Sequence, residues 1–337
     1  MISTLFFNKI NSKNKIQFKK LISLSNEINY FLLMWYNINR TGRLGNRLFS
    51  RAHIYAAALE LGETVIDWGL NDYKNYFPNC AKTKLPIYPL ENNHLPNYPN
   101  NFLANETPLN IINKLRPRIT GKIGNFWNQF YDIGNPEDMR IDTKKFESFC
   151  KSHKNIFLNG YKLRCNNWVK KHRNEICKYF KIHNSYYFKW QKLINFWKKE
   201  YSEIIGIHMR RGDYKTAIRG NFYLSPDEYT FILKNLVNID FKKSLIILFS
   251  EDRFTDDNEW ENLNNSFSFS NFILNNGTIL DDLTGLVFCD KIIGPKTSTF
   301  SKWAAFYGNK YWAGISRKSL TDLQILEFKK ISIPWDY

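Results

Sequence analysis

The sequence predicts an α/β protein built on open, doubly wound parallel sheets, and two observations carry this prediction. In the second half of the chain, short apolar runs typical of buried strands alternate with capped, amphipathic helices. A similar succession of loop, helix and strand lies between residues 41 and 67. Strands that alternate with helices pair in parallel through β-α-β crossovers, so we expect ligands to bind beyond the carboxyl ends of the strands.

Four apolar runs of the second half are predicted strands: 202–209, 244–249, 291–294 and 310–313. Ser225 and Glu228 have the spacing of a capping box around Pro226, which predicts a helix start. Further helices are expected to begin at Asp281 with Asp282 and in the hydroxyl-rich segment 297–300.

The first half is organised less clearly. Gly42 to Arg47 form a glycine-permissive loop that leads into a helix, Gly62 is expected to end that helix, and 65–67 follow as a strand. Residues 68–160 give no clear assignment, whereas 166–200 are predicted to be helical. We therefore expect three regions: a basic N-terminal extension at 1–38, a first domain at 39–195 and a second domain at 196–337.

The charge balance points to partners that carry phosphate. The chain has 337 residues, and 48 Lys and Arg against 31 Asp and Glu give a formal net charge of +17. A hydrophobic content of 43% excludes a disordered chain. Such a positive charge attracts nucleic acid, an anionic membrane face or a nucleotide-linked small molecule, and it does not choose among the three.

The cysteines and the N-terminal region bear on the compartment. The five cysteines are widely spaced without a Cys-x-x-Cys pair, which predicts reduced thiols in a cytoplasmic protein. The longest apolar run, residues 30–36, is shorter than the roughly 20 residues of a membrane span. Lysines interleave with apolar residues in 1–38, which fits either peripheral contact with the inner membrane face or the solvated face of an ordinary helix.

Adjacent arginines at the end of a predicted strand are the strongest local signal for chemistry. The rigid donor forks of Arg210 and Arg211 match phosphate oxygens, and Asp213 lies within reach of either. One arginine can face a ligand while its neighbour pairs with a carboxylate. A surface turn held by local ion pairs is the alternative interpretation.

Two further segments could bind parts of a nucleotide. Thr297, Ser298 and Thr299 place hydroxyls at a helix N-terminus, where free N–H groups favour an anion. Asp282 offers a carboxylate that can accept hydrogen bonds from both the N1–H and the exocyclic amine of guanine. An ordinary N-cap and an ordinary first-turn acid explain these residues equally well.

Missing motifs narrow the choice of chemistry. The sequence has no Gly-x-x-x-x-Gly-Lys-[Ser/Thr] loop, no Gly-x-Gly-x-x-Gly loop, no His-Glu-x-x-His and no Cys/His cluster with zinc spacing. No Asp-x-Asp pair is present to hold a metal on a diphosphate. We therefore expect no metal, with arginine and a helix dipole left to bind a pyrophosphate.

Several segments together resemble successive motifs of glycosyltransferase family 11, the GDP-fucose-dependent α1,2-fucosyltransferases. They are His208–Tyr214, Tyr223–Ser225, Phe249–Asp252 and Ser298–Ala305. The loop Gly42–Arg47 is similar to the N-terminal loop of that family and of the protein O-fucosyltransferases. The resemblance covers about 41–67 and 203–313, with departures at Arg47, where Gln is usual, and at Lys302, where Trp is common.

This resemblance implies a GT-B architecture, an α/β fold of two Rossmann-like domains that face each other across a cleft. Residues 39–195 would form the acceptor-side domain, and residues 196–337 would bind the GDP-sugar. The implied activity is inverting, metal-independent transfer of fucose from GDP-fucose to a glycan hydroxyl, in α1,2 linkage to a galactose-type acceptor. No cofactor is implied beyond the donor substrate.

The resemblance also assigns roles to individual residues. Arg210 would bind the β-phosphate, and Asn46, beside Gly45 in the N-terminal loop, would reach fucose or the acceptor hydroxyl. Asp213 is the nearest candidate for a catalytic base, with an orienting role for Arg211 as the alternative. The remaining donor contacts would come from His208 and Asp282 to ribose and guanine, and from Ser298, Thr299 and Phe300 to the diphosphate and base.

Two other functions stay open at this point. A GT-B transferase that uses another GDP-sugar or a protein acceptor would share the same motifs. A nucleic-acid-binding protein would use lysines for phosphate contacts and aromatic rings for stacking, although no recognisable nucleic-acid-binding module is present.

Overall fold

The computed structural model describes residues 34–37, 39–82, 86–88, 130–131, 140–152, 155–158, 163–215, 222–250, 265 and 271–334. Its strands form two sheets, one of five and one of six strands. Both sheets are mainly parallel, with helices between their strands, so the predicted α/β class is confirmed. Elements are numbered below in chain order within this described part.

The first sheet has the strand order β3-β2-β1-β5-β4. Its strands are β1 (Met34–Asn37), β2 (Thr64–Asp67), β3 (Ile87–Tyr88), β4 (Phe130–Tyr131) and β5 (Asn155–Leu158). The central strand β1 pairs in parallel with both neighbours, and Trp35 lies opposite Val65 and Ile156. Only β3, at one edge, runs antiparallel within this sheet as described. Parallel strands of this kind are buried on both faces, which explains their apolar sequences.

Helix α1 (Leu44–Leu61) follows β1 and is buried far beyond the single apolar face that its sequence predicts. Ala56, Ala57 and Ala58 are all fully buried, because α1 packs between helices of both sheets. The helix ends as predicted at Gly62, whose φ of 71° is the left-handed conformation that glycine adopts without strain. The 3₁₀ segment Trp68–Tyr76 and α2 (Pro78–Ala81) come later in this half.

Buried charges hold the carboxyl ends of β1 and β2 together. Arg51 of α1 donates to both carboxylate oxygens of Asp67 at 2.9 and 3.1 Å, and both side chains are fully buried. Asn37 and the Leu70 backbone N–H also donate to this carboxylate, each at 3.1 Å. The chain enters the 3₁₀ segment at Gly69, where a Cβ would lie 1.8 Å from the Arg51 guanidinium, so only glycine fits.

The second sheet has the order β11-β10-β9-β6-β7-β8. Its strands are β6 (Glu203–Met209), β7 (Ser244–Ser250), β8 (Phe272–Asn275), β9 (Lys291–Pro295), β10 (Tyr311–Ile315) and β11 (Lys329–Lys330). All pairs are parallel except that of β10 with the edge strand β11. The four strands predicted from the second half are therefore confirmed. The chain leaves β6 toward β7 on one side and returns to β9 on the other, and a crevice at such a switch point is where ligands bind in open α/β sheets.

The helices of the second half begin at capped residues. Helix α7 (Pro226–Asn235) has the predicted capping box of Ser225 and Glu228. Helix α8 (Ile279–Phe288) begins before the predicted Asp281, because Thr278 caps it and Asp281 completes the box as the third helical residue. Helix α9 (Thr299–Gly308) begins after Ser298, within the predicted segment, and α10 (Arg317–Thr321) is short.

Three helices connect the two halves: α4 (Asn166–Lys171), α5 (Arg173–Tyr179) and α6 (Asn184–Trp197). They confirm the helical prediction for 166–200, and a further helix, α3 (Lys144–Ser152), lies earlier in the chain. Helix α6 packs on α8, where the Trp190 ring lies 5.6 Å from that of Phe249. The domain boundaries stay predictions; β1 lies within the predicted extension, and α6 spans the second boundary.

The state of the cysteines and the lengths of the helices bear on two predictions made from the sequence. All five cysteines are free thiols, as predicted. Burial raises the pKa of Cys177 to about 11 and that of Cys150 to about 12, so both thiols stay protonated at neutral pH. None of the helices in the described part is long and apolar enough to cross a bilayer. The basic segment 1–38, for which the sequence left open either membrane contact or the solvated face of a helix, falls outside the described residues except for 34–37.

The two sheets are joined where the N-termini of α1 and α9 meet. Thr299 Oγ1 donates a hydrogen bond of 2.7 Å to Asn46 Oδ1. Next to it, a Cβ on Gly45 would lie 2.7 Å from the Phe300 backbone nitrogen and 2.8 Å from its Cα. Real Cβ atoms do not approach backbone this closely, so glycine at position 45 permits the contact between the helices.

We predict that Gly45→Ala lowers the free energy of unfolding by about 1–3 kcal/mol, because the added methyl group overpacks the contact with Phe300. At an open helical position the same change would stabilise by roughly 0.5–1 kcal/mol, so the two expectations differ in sign. Urea denaturation of the full chain measures the difference. An unchanged or higher stability would show that the helices can separate without cost.

Candidate active site

The candidate site lies at the carboxyl edge of the second sheet, where β6 and β9 end. The predicted residue His208 lies near the end of β6, Arg210 to Asp213 follow the strand directly, and the segment after β9 leads into α9. Because β6 and β9 are paired neighbours, these two segments emerge side by side. The fold therefore brings together the two motifs that are about 90 residues apart in the sequence.

His208 links the two segments. It is the next-to-last residue of β6, and its Nδ1 lies 3.1 Å from Ser298 Oγ. Its ring is tilted against that of Phe300, with the ring centroids 5.2 Å apart. Burial, reinforced by the neighbouring Arg210 cation, lowers the pKa of His208 to about 3. The imidazole is therefore neutral at physiological pH and offers one donor and one acceptor nitrogen.

Arg210 lies just beyond β6, half-buried, above an aromatic ring. Its guanidinium carbon is 5.2 Å from the centroid of Tyr214, a cation–π arrangement that restricts where the charge can lie. The Tyr214 hydroxyl is 3.2 Å from Thr297 Oγ1, next to the start of α9. Sequence reasoning did not single out Tyr214; an aromatic residue shortly after paired arginines was the available signal.

The two adjacent arginines lie in different surroundings, as the alternation along an extended chain suggests. Arg211 is buried, whereas Arg210 remains partly exposed at the edge of the sheet. Gly212, with φ of 25°, turns the chain into the short 3₁₀ segment Gly212–Lys215, which contains Asp213. The backbone thus places Asp213 near the arginines, while its side chain lies outside the described part of the structure.

The N-terminus of α9 presents hydrogen-bond donors at this edge. Ser298 is the N-cap, and its Oγ accepts from the Ser301 backbone N–H at 3.4 Å. The remaining N–H groups of the first turn have no partner within the helix, which makes such an end attractive to an anion. Because Thr299 and Phe300 contact Asn46 and Gly45, the N-terminus of α1 lies at the same place. Both helices direct the positive ends of their dipoles toward it.

Asp282 lies at the N-terminus of the neighbouring helix α8 and is buried. Its Oδ1 accepts a hydrogen bond of 2.6 Å from Asn275, the last residue of β8. The preceding Asp281 caps α8 and pairs with Lys189 of α6 at 2.6 Å, contacts that hold the pKa of Asp281 below its usual range despite its burial. The two adjacent acids therefore have separate roles, because Asp281 completes the capping box with Thr278, whereas Asp282 is not part of it.

The two residues that depart from the family motifs have local partners. Lys302 is buried on α9, with its ammonium 4.9 Å from the centroid of the Trp312 ring on β10. Arg47 donates to Asp72 at 2.7 Å and to the Gly69 carbonyl at 2.9 Å. Both departures are therefore accommodated by cation–π or ion-pair contacts.

Residues that could hold a metal do not gather in the described part of the chain, where no group of three or more His, Cys, Asp or Glu side chains comes together. The charges assembled at the site are those of Arg210, Arg211 and two helix N-termini. Such an arrangement binds an anion with spaced oxygens, and a diphosphate fits it chemically.

Solved structures with a similar fold come from bacteria and plants. NodZ from Bradyrhizobium, at 15% identity and a TM-score of 0.50, covers 88% of this chain and 98% of its own. NodZ α1,6-fucosyltransferase co-crystallised with GDP is 16% identical, with a TM-score of 0.50, and the match covers 88% of this chain and 98% of the NodZ chain. A variant of Arabidopsis thaliana FUT1 in complex with GDP is 13% identical, with a TM-score of 0.53, and the match covers 88% of this chain and 74% of the FUT1 chain.

At these identities the likeness concerns the fold, and it confirms the predicted α/β fold of GT-B type. The arrangement of two domains across a cleft stays a prediction. A search of curated proteins finds no significant match to this sequence.

The second half of the chain also matches a model of a sequence family. The model is described as glycosyl transferase family 11, and it matches residues 142–335. This range contains β6, β9, α8 and α9 and therefore every predicted donor-site residue. Since the match covers more than half of the chain, this protein is a glycosyltransferase that belongs to glycosyl transferase family 11.

Proposed function

We propose that this chain transfers fucose from GDP-fucose to a glycan hydroxyl, with inversion at the anomeric carbon and without a metal ion. The observation that carries the proposal is the position of Arg210. Its guanidinium lies over the ring of Tyr214, and the Tyr214 hydroxyl contacts Thr297 just before the start of α9. This contact places a permanent cation beside a helix N-terminus, the combination that suits a sugar-nucleotide diphosphate.

The donor would lie along the edge formed by β6, β9 and α9. Arg210 and the first-turn N–H groups of α9 would bind the two phosphates, with Ser298 and Thr299 beside them. Neutral His208 would hydrogen-bond the ribose, and Phe300 would contact the base. Buried Asp282 would accept hydrogen bonds from the guanine ring. The crystals of NodZ and FUT1 that contain GDP support a guanine nucleotide for this fold.

Catalysis follows from the charge that develops as the donor breaks. Cleavage of the bond between fucose C1 and the β-phosphate oxygen leaves negative charge on GDP and positive charge on the sugar. Groups that bind GDP more strongly as this charge grows lower the barrier. Arg210 remains charged when water is excluded, and the α9 dipole is fixed by the fold, so neither must reorganise during the reaction.

The acceptor would approach from the α1 side, opposite to the departing GDP, which gives inversion. Asn46, held by Thr299, lies where the two halves meet and would orient fucose or the acceptor hydroxyl. Asp213 is our candidate for the base, with Arg211 as an orienting residue. His208 is a poor base for this step, because its lowered pKa of about 3 makes protonation unfavourable.

The linkage is the finer part of the proposal. The motif resemblance favours α1,2 transfer to a galactose-type acceptor, whereas the NodZ structure of similar fold is an α1,6-fucosyltransferase. Another GDP-sugar or a protein acceptor is the second candidate, since the residues assigned to the donor do not define the acceptor. Incubation with GDP-fucose and an array of galactose-terminated acceptors separates these cases. We expect GDP release with a mass gain of one deoxyhexose, and cleavage by an α1,2-specific fucosidase reports the linkage. GDP release without any glycosylated product would contradict acceptor transfer.

Arg210→Ala is predicted to lower kcat by about a hundredfold or more, which corresponds to the loss of about 3 kcal/mol of transition-state stabilisation. The melting curve is expected to change little, because Arg210 is partly exposed at the sheet edge. Tyr214→Phe keeps the ring beneath the guanidinium and is the matched control; it is expected to lose far less activity than Tyr214→Leu. If Arg210→Ala retains more than about a tenth of wild-type turnover, Arg210 does not stabilise the leaving group.

GDP is predicted to raise the melting temperature without added divalent cation, and UDP and ADP are predicted to raise it less. Binding to the folded state alone stabilises it by mass action, so the order of the shifts reports the order of affinities. Differential scanning fluorimetry in the presence of a chelator measures them, and Asp282→Asn should reduce the preference for GDP. Equal shifts from UDP would remove the guanine assignment, and a strict requirement for Mn²⁺ would contradict the metal-free mechanism.

A further inference from the structure

Helix α6 presents a sharply divided surface. Its inner face carries Trp190 and Ile194, which are buried against the second half of the chain. Its outer face carries two large apolar side chains that remain in solvent, with Phe188 52% and Phe196 65% exposed. A phenylalanine exposed to this extent costs solvation free energy unless another surface covers it.

Three exposed residues of α6 and Lys199, two residues beyond its end, form what we call the outer stripe of α6. At about 100° per residue, Phe188, Lys192 and Phe196 fall within roughly 80° of each other around the helix axis. The two phenylalanines are about 12 Å apart along the axis, with Lys192 midway between them. Lys192 and Lys199 are exposed, and residues 184–199 contain four lysines and no acidic residue. Hydrophobic and cationic groups therefore alternate along the same line.

Helix α6 is fixed firmly enough to hold this stripe in place. Lys189 pairs with Asp281 at 2.6 Å, and Lys198 pairs with Asp290. Trp190 packs against Gly285 of α8, where a Cβ would lie 2.6 Å from the indole ring. The lysines at the sides of the helix thus bind the body of the protein, whereas Lys192 and Lys199 lie on the outer stripe.

We propose that the outer stripe of α6 binds the headgroup region of an anionic lipid bilayer. Phenylalanine side chains would enter the boundary of the acyl chains, and Lys192 and Lys199 would meet lipid phosphates, the arrangement typical of helices that lie in the membrane interface. The composition favours a bilayer over a protein, since lysine is depleted in protein interfaces.

This surface is distinct from the predicted donor residues, so it does not depend on the identity of the donor. It is also distinct from the basic segment 1–38, for which the sequence left open either membrane contact or the solvated face of an ordinary helix. Surface substitutions on α6 and at Lys199 test the contribution of this stripe by itself.

Co-sedimentation of the full chain with vesicles tests the proposal. We expect binding to phosphatidylcholine vesicles that contain about a third phosphatidylserine, weaker binding in high salt, and little binding to phosphatidylcholine alone. Phe188→Ser/Phe196→Ser and Lys192→Glu/Lys199→Glu should each weaken the partition coefficient at least about tenfold. The melting temperature and its shift by GDP should stay unchanged in both variants, because the four side chains are exposed.

Matched substitutions elsewhere control for composition and net charge. Lys144→Glu/Lys145→Glu on α3 makes the same change of charge at exposed positions, and Phe231→Ser/Tyr311→Ser removes two other exposed aromatic residues. Both controls should bind within about threefold of wild type. The proposal is overturned if wild type does not bind anionic vesicles or if the α6 variants bind as well as the controls. It is also overturned if the α6 variants lose single-stranded oligonucleotide binding at physiological salt while vesicle binding persists.

Discussion

The structure depends on the contact between the N-termini of α1 and α9. Gly45 brings the two helices within backbone contact distance, and Thr299 donates to Asn46 across the junction. Two helix N-termini that meet place like partial charges together, which is unfavourable in the absence of a bound anion. In the proposed complex, the diphosphate of the donor would neutralise both ends and Arg210 would complete its coordination. The same contact that joins the two sheets would then prepare the site for its substrate.

Buried and half-buried charges are arranged around this junction with defined partners. Asp67 accepts bonds from Arg51, Asn37 and a backbone N–H, so its buried charge is compensated. Lys302 lies over Trp312, and Asp281 accepts from the N-cap residue Thr278 of α8 while it pairs with Lys189. Removing one partner of such a group costs more than the contact itself contributes, because the other charge stays buried. The protein carries its high positive charge by assigning many cations to fixed contacts, and Arg210 is held by an aromatic ring at the edge of the sheet.

Elements whose ends are set by residues close together in the sequence were predicted more accurately than elements that depend on distant residues. The capping box at Ser225 and the left-handed Gly62 were read correctly, because both motifs involve only residues within one turn. Helix α8 begins before the predicted start, because Asp281 and Asp282 lie within its first turn and Thr278 is the residue that caps it. Strands of the first half were mostly missed, because short strands separated by long connections have no periodic signal of their own. Tyr214 was missed because its role depends on Thr297, which lies on a different strand connection.

The alternating elements of the second half, most helix caps and the family motifs can be predicted from the sequence, because each depends on residues close together in the chain. Only the tertiary structure decided that His208 lies against Ser298 and Phe300, that Gly45 touches α9, and that α6 turns its phenylalanines to solvent. These contacts join residues many positions apart. They arise from how two sheets pack around α1, and no local pattern of residues records that packing.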